Sequence, residues 1–130
     1  MAIISPQPPP LSADLEQFLS NIPPGFYAIA TVDKLKQQLT DSQTLLIDVR
    51  DAQEYQAGHI PQAINIPLRT LTQHLDQIPG DRPVILYCSG GYRAAMGVMT
   101  LNLLGYDNIQ GFPPSFMGWK KAGEAIAKAA

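Results

Sequence analysis

The residues with the clearest chemical potential lie in the stretch ILYCSGGYRAAM, Ile85 to Met96, which holds the only cysteine of the 130-residue chain. Free cysteine is often a small buried hydrophobe. Cys88, however, stands where an apolar run stops and is followed by Ser89, Gly90, Gly91, Tyr92 and Arg93. The two glycines permit a tight backbone path, so the N–H groups of Ser89 to Arg93 are expected to converge above the thiol as an anion cradle. A helix beginning near Tyr92 or Arg93 would add the partial positive charge of its N-terminus, and Arg93 a full one, both of which favour a thiolate. Cys88 is therefore the candidate nucleophile. Ser89, Gly90, Gly91, Tyr92 and Arg93 are the candidate residues for holding an anionic substrate.

Other polar residues carry weaker signals. Asp48 and Arg50, in the DVR that closes an upstream apolar run, are expected to support the Cys88 loop rather than take part in chemistry. Glu54 and His59 read as structural, an ion pair fixing the local connection, with a Cys88–His59 pair as the alternative. Tyr92 fits equally well lining the mouth of the site or covering the loop. Met117 and Trp119 read as core, and His74 as solvent-facing. One cysteine and two distant histidines are too few for a zinc site, and a lone cysteine excludes an internal disulfide and any resolving partner for dithiol exchange.

Short apolar runs alternate with amphipathic ones from Phe26 onward, the pattern of strands alternating with helices. YAIA (Tyr27–Ala30) is a short strand candidate. TVDKLKQQL is a helix with Thr31 or Asp33 as cap. TLLIDV is a strand buried on both faces, DAQEYQAG a short helix ended by Gly58, and AINIP a short strand. LRTLTQHLDQI places Leu68, Leu71, Leu75 and Ile78 at helical spacing. PVILYC is a second buried strand and RAAMGVMTLNLLG a helix stopped by Gly105. DNIQGF and SFMGWKKAGEAIAKAA supply a last strand and a last helix. The order predicts an α/β domain with a mostly parallel sheet and helices on both faces. In such sheets ligands bind beyond the carboxyl ends of the strands, which is where DVR and CSGGYR both fall.

The net charge of −2 and the absence of a basic run interleaved with aromatics argue against a nucleic-acid partner. No apolar stretch approaches the roughly 20 residues of a membrane helix, and MAIISPQPPP lacks the features of a signal peptide, so a cytoplasmic protein is expected. Residues 1–25 hold Pro6, Pro8, Pro9, Pro10, Pro23 and Pro24 of the twelve prolines, with LSADLEQFLSN between the clusters as a candidate short helix. This segment reads as an arm or linker, and residues 26–130 as the domain.

The Cys88 loop resembles the C-x-x-G-x-R signature of the rhodanese family of sulfurtransferases, here Cys88, Gly91 and Arg93. LLIDVRDAQEYQAGHIPQAINIPL is similar to the family's ordered series D-V-R, E-[YF], G-H-I and A-x-N-I-P. The resemblance implies a rhodanese-like fold with a five-stranded parallel sheet. It also implies that Cys88 takes a sulfane sulfur from a donor such as thiosulfate, becoming a persulfide, and passes it to cyanide or a thiol. The partners would be a small-molecule sulfur donor and a thiol acceptor, or a protein sulfur acceptor, with no metal or organic cofactor. Two other classes stand beside this one: a rhodanese-type module that only binds, and a Cys-dependent phosphatase. Four residues separate Cys88 from Arg93, where the related phosphatases carry five, which favours sulfur over a tetrahedral phosphate. The sequence departs from the family near its C-terminus, where Gly111, Phe112, Pro113 and Pro114 stand in place of a frequent G-G pair. The two prolines are expected to stiffen a segment close to the active loop.

Overall fold

A computed structural model describes residues 12–129 of the chain; the proline cluster at residues 6–10 lies outside them. The described elements are α1 (Ser12–Ser20), α2 (Val32–Gln38), β1 (Leu45–Asp48), α3 (Ala52–Ala57), β2 (Ile64–Asn65), β3 (Val84–Tyr87), α4 (Tyr92–Leu103), β4 (Ile109–Gly111) and α5 (Ser115–Lys121), with two 3₁₀ turns between β2 and β3. All strand pairings are parallel, in the order β2-β1-β3-β4. β1 and β3 are central, which is why both read as near-continuous apolar runs.

Alternation along these two strands divides the core. Ile47, Val84 and Leu86 face one side with Val98 and Leu101 of α4. Leu46, Ile85 and Tyr87 face the other with Leu35 of α2 and Trp119 of α5. Gly97 lets α4 approach the sheet, since a Cβ there would stand 2.7 Å from a methyl of Leu86. At α2 the cap is Thr31, whose hydroxyl accepts the Lys34 N–H at 3.1 Å.

Several expectations are corrected. The sheet has four strands among the described residues, not five. Tyr27–Ala30 does not form a strand: between the turn closed by Phe26 N–H on Pro23 O and the cap at Thr31, the segment has room for only two bonds to β4, Ile29 N–H to Gly111 O and Gly111 N–H to Phe26 O. The Leu68–Ile78 run winds as two 3₁₀ turns, Leu68–Gln73 and Leu75–Gln77, broken at His74. It still buries Leu71 and Ile78, so the spacing of apolar residues held while the tighter winding prevailed in a stretch with two β-branched threonines. The last helix ends at Lys121, ahead of Gly123 at φ +76°. The chain then turns back to form a bridge between Ala127 and His59.

Candidate active site

β3 delivers Cys88 to the carboxyl end of the sheet, and α4 begins four residues later at Tyr92. Between them Gly91, at φ +114°, adopts a left-handed conformation that side-chain-bearing residues rarely take. A Cβ at Gly91 would also come within 3.0 Å of the Pro113 carbonyl. This turn aims two backbone donors at the sulfur: Gly91 N–H at 3.0 Å and Ala94 N–H at 3.3 Å. Of the N–H groups from Ser89 to Arg93 expected above the thiol, that of Gly91 bonds the sulfur itself. Because the helix starts at Tyr92, its first turn presents Ala94 to the sulfur, a residue that the sequence reading did not include. Cys88 itself is fully buried.

The far side of the loop is held by the segment before α5. Ser115, fully buried and at φ +55°, accepts the Cys88 N–H at 3.2 Å and donates to Phe112 O at 2.9 Å. Phe116 N–H donates to Cys88 O at 2.8 Å, and Met117 N–H to Ser89 O at 3.1 Å. The Pro113-Pro114 stretch therefore lies against the loop, as the family resemblance implied. Trp119 is buried as expected, but Met117 is 65% exposed rather than core. Its sulfur lies over Gly90, because α5 turns that side away from the sheet. Tyr92 is 72% exposed at the start of α4.

Arg93 does not point at the thiol. Its guanidinium donates to both Glu54 oxygens, at 2.8 and 3.2 Å, and to Ser89 Oγ at 3.1 Å, while Ser89 Oγ also donates to Glu54 at 3.2 Å. The hydrogen bond from Arg93 is the main cause that holds the Glu54 carboxyl down at about 2, against the opposing effect of burial and with help from the Asp51 N–H. The expected Glu54–His59 ion pair does not form. Glu54 sits in the first turn of α3, on the side of the Cys88 loop, whereas His59 stacks on Tyr55 with ring centroids 3.7 Å apart and binds the Tyr55 carbonyl at 2.8 Å.

Asp48 and Arg50 form a buried pair. The Asp48 carboxylate accepts Arg50 N–H at 2.9 Å and its guanidinium at 2.7 to 3.1 Å. Arg50 also donates to Gly58 O at 2.6 Å and lies 4.2 Å over the Phe116 ring. Burial alone would lower the Arg50 pKa, but the hydrogen bond and charge of Asp48 raise it above its ordinary value. Neither residue touches the sulfur. Their connection to it runs through Phe116, whose N–H binds the Cys88 carbonyl.

A cleft of about 410 Å³ flanks this loop, lined by Arg50, Glu54, Phe116, Lys120 and Lys128 among others. A larger cleft, about 540 Å³, lies at the opposite end of the sheet around Pro83 and Asn108, away from the carboxyl ends of the strands.

The rhodanese-like domain family matches this chain over residues 31–122. The chain belongs to that family. A sulfurtransferase of Allochromatium vinosum is 30% identical over 95 residues, covering 72% of this chain and 89% of that protein. A transcriptional regulator of the helix-turn-helix type from Mycobacterium tuberculosis, Rv0324, is 46% identical over 65 residues, which is 50% of this chain but only 28% of the regulator. The chain thus spans little more than a quarter of one relative and most of the other. The rhodanese fold is also seen in a rhodanese-related protein of Thermoplasma volcanium, at a TM-score of 0.68 and 24% identity over 77% of this chain and 99% of that one. Within this rhodanese domain, Tyr27, Ala94, Ser115 and Phe116 are among the loop-contacting residues that sequence reasoning missed. Ser115 is the first residue of α5, behind Pro114 at the cap position, and its hydroxyl makes no cap bond, so none of these residues carried a signal.

Proposed function

We propose that this rhodanese domain is a sulfurtransferase working through a persulfide on Cys88. The observation that carries the reading is the pair of backbone N–H groups, from Gly91 and Ala94, directed at a sulfur that begins a helix-capping loop. Fixed donors of this kind favour an anionic sulfur before and after transfer. In the first step the Cys88 thiolate attacks the outer sulfur of a thiosulfate-type donor. A new S–S bond forms, the donor's S–S bond breaks, and sulfite leaves with the electron pair. In the second step an acceptor thiolate or cyanide attacks the outer persulfide sulfur and Cys88 leaves as thiolate. No metal or organic cofactor enters either step.

In this reading Arg93, with Ser89, meets the donor's charge, and Glu54 is the anion the donor exchanges with at the guanidinium. Gly90 and Gly91 supply the backbone path, and Tyr92 the rim. The sulfurtransferase named among the relatives supports the reaction class.

Intact-mass spectrometry after incubation with thiosulfate tests the proposal. The protein is expected to gain one sulfur atom, to lose it to cyanide or a small thiol, and to do neither as Cys88→Ser. A wild-type protein that gains no sulfur yet hydrolyses aryl phosphates would point instead to a phosphatase, and one that does neither to a binding module.

A further inference from the structure

Tyr27 lies four residues before the family match begins at residue 31, on the short segment that pairs with β4 through Phe26 and Ile29. Its ring occupies the space above Gly111, where a Cβ would overlap it. From there its hydroxyl reaches across and donates to the Gly91 carbonyl. The same carbonyl accepts Ala95 N–H at 3.0 Å, so it carries two donors from two different parts of the fold.

We infer that Tyr27 is a positioning residue for the sulfur cradle: by fixing the Gly91 carbonyl, it holds the Gly91 N–H on the Cys88 sulfur and so sets the reactivity of the thiol. Glycine has the greatest backbone freedom of any residue, and the peptide planes on its two sides pivot independently unless each is tied. At Gly91 one plane carries the N–H that meets the sulfur at 3.0 Å, and the other carries the carbonyl that Tyr27 grips. Without the Tyr27 donor the second plane is tied by the Ala95 N–H alone, which leaves Gly91 more room to rotate about its own bonds, and a backbone donor that wanders by an ångström stabilises an anion far less. Burial, and then the charge of Cys88, push the Tyr27 hydroxyl up to about 12, which keeps it a donor throughout the neutral range. The other polar and charged groups around the thiol are the Ser115 hydroxyl at 3.9 Å, the Arg93–Glu54 pair of the loop and the Asp48–Arg50 pair at the end of β1; none of these touches the Gly91 carbonyl.

As a role in sulfur transfer this inference rests on the persulfide reading; as an effect on Cys88 reactivity it does not, and the test uses the latter. The rate of alkylation by iodoacetamide is measured against pH for the wild type, for Tyr27→Phe, and for Tyr106→Phe. The last removes a comparable hydroxyl, donated to Ile78 O at 3.1 Å, from a region away from the loop. Tyr27→Phe keeps the ring over Gly111 and is expected to move the profile up by about half a pH unit, with alkylation at neutral pH slower by about threefold, because only the thiolate reacts. Tyr106→Phe is expected to leave the profile in place. An unchanged profile for Tyr27→Phe overturns the inference, as does an equal shift for Tyr106→Phe, which would make the effect one of general stability. Should Tyr27→Phe not fold, the wild-type protein carrying ¹³C at the tyrosine ζ carbon decides the matter. The Tyr27 signal should titrate with the midpoint of Cys88 alkylation, and no response there overturns the inference equally. A shifted profile in a protein that accepts no sulfur would retain Tyr27 and remove the sulfurtransferase reading.

Discussion

Arg93 directs two nitrogens at the Glu54 carboxylate and one of them also at Ser89, so the charge at the loop is held in a planar fork rather than left free. Arg93→Lys keeps the charge without the fork and is expected to retain part of the sulfur-transfer activity. Arg93→Ala is expected to lower kcat/KM for thiosulfate by about 10- to 100-fold, the span of one charge-assisted hydrogen bond. Equal kinetics for wild type and Arg93→Ala would remove Arg93 from the site. The same pair makes stability depend on pH. In the unfolded chain Glu54 takes its proton near 4.5, whereas in the fold it holds off until about 2. A carboxylate depressed in the folded state contributes stability that is complete above the unfolded value and fades as the pH falls toward the folded one. Urea denaturation of wild type and Glu54→Gln is therefore expected to show a stability difference that shrinks between about pH 5 and about pH 2.5. A difference that stays constant over that range would contradict the pairing.

Three elements meet at Arg50. It leaves the end of β1 bound to Asp48, ties the carbonyl of Gly58 that ends α3, and stacks on Phe116 of α5, whose N–H in turn holds the Cys88 carbonyl. Asp48 is wholly buried and Arg50 nearly so, with 4% of its surface exposed. Substituting Arg50→Met fills much of the volume but leaves the carboxylate buried without its partner, a change that typically costs about 3–5 kcal/mol. Chemical denaturation of Arg50→Met should show a loss of that order. A loss below about 1 kcal/mol, the scale of an exposed pair, would mean that water replaces the guanidinium and that the three elements do not depend on it.

For the molecule as a whole, the question is where the functional unit begins. Helix α1 packs through Phe18 edge-on to Phe26, with ring centroids 5.7 Å apart, and contributes no buried residue. Removing residues 1–20 is expected to leave sulfur transfer within about twofold of the full chain, since α1 buries no residue and none of its described residues bonds to the loop. Extending the deletion through residue 30 also removes Phe26, Tyr27 and Ile29, the last of which is 6% exposed, and is expected to cost both stability and thiol reactivity. Loss of activity in the shorter deletion, with its circular dichroism unchanged, would show that α1 shapes the site.

Local chemistry was enough to mark Cys88 and its loop: a thiol at the end of an apolar run, two glycines and an arginine fall within six residues, and the left-handed turn at Gly91 is one that glycine permits by itself. The order of apolar runs likewise determined the parallel α/β sheet, because strands buried on both faces must be apolar throughout. What the sequence could not state was which distant groups would complete the loop. Glu54 was legible as an acid but not as the partner of Arg93, 39 residues away, since only the placement of α3 beside α4 brings them together. Met117 read as core from its apolar type, yet the short helix α5 turns it to the rim. Tyr27 looked like part of a strand, and its hydroxyl reaches Gly91 across 64 residues of chain only because the ring fits over Gly111. Period and propensity act between neighbours along the chain. Contacts between segments that meet only after folding are decided by how the faces of the sheet are filled, and that is a property of the tertiary structure.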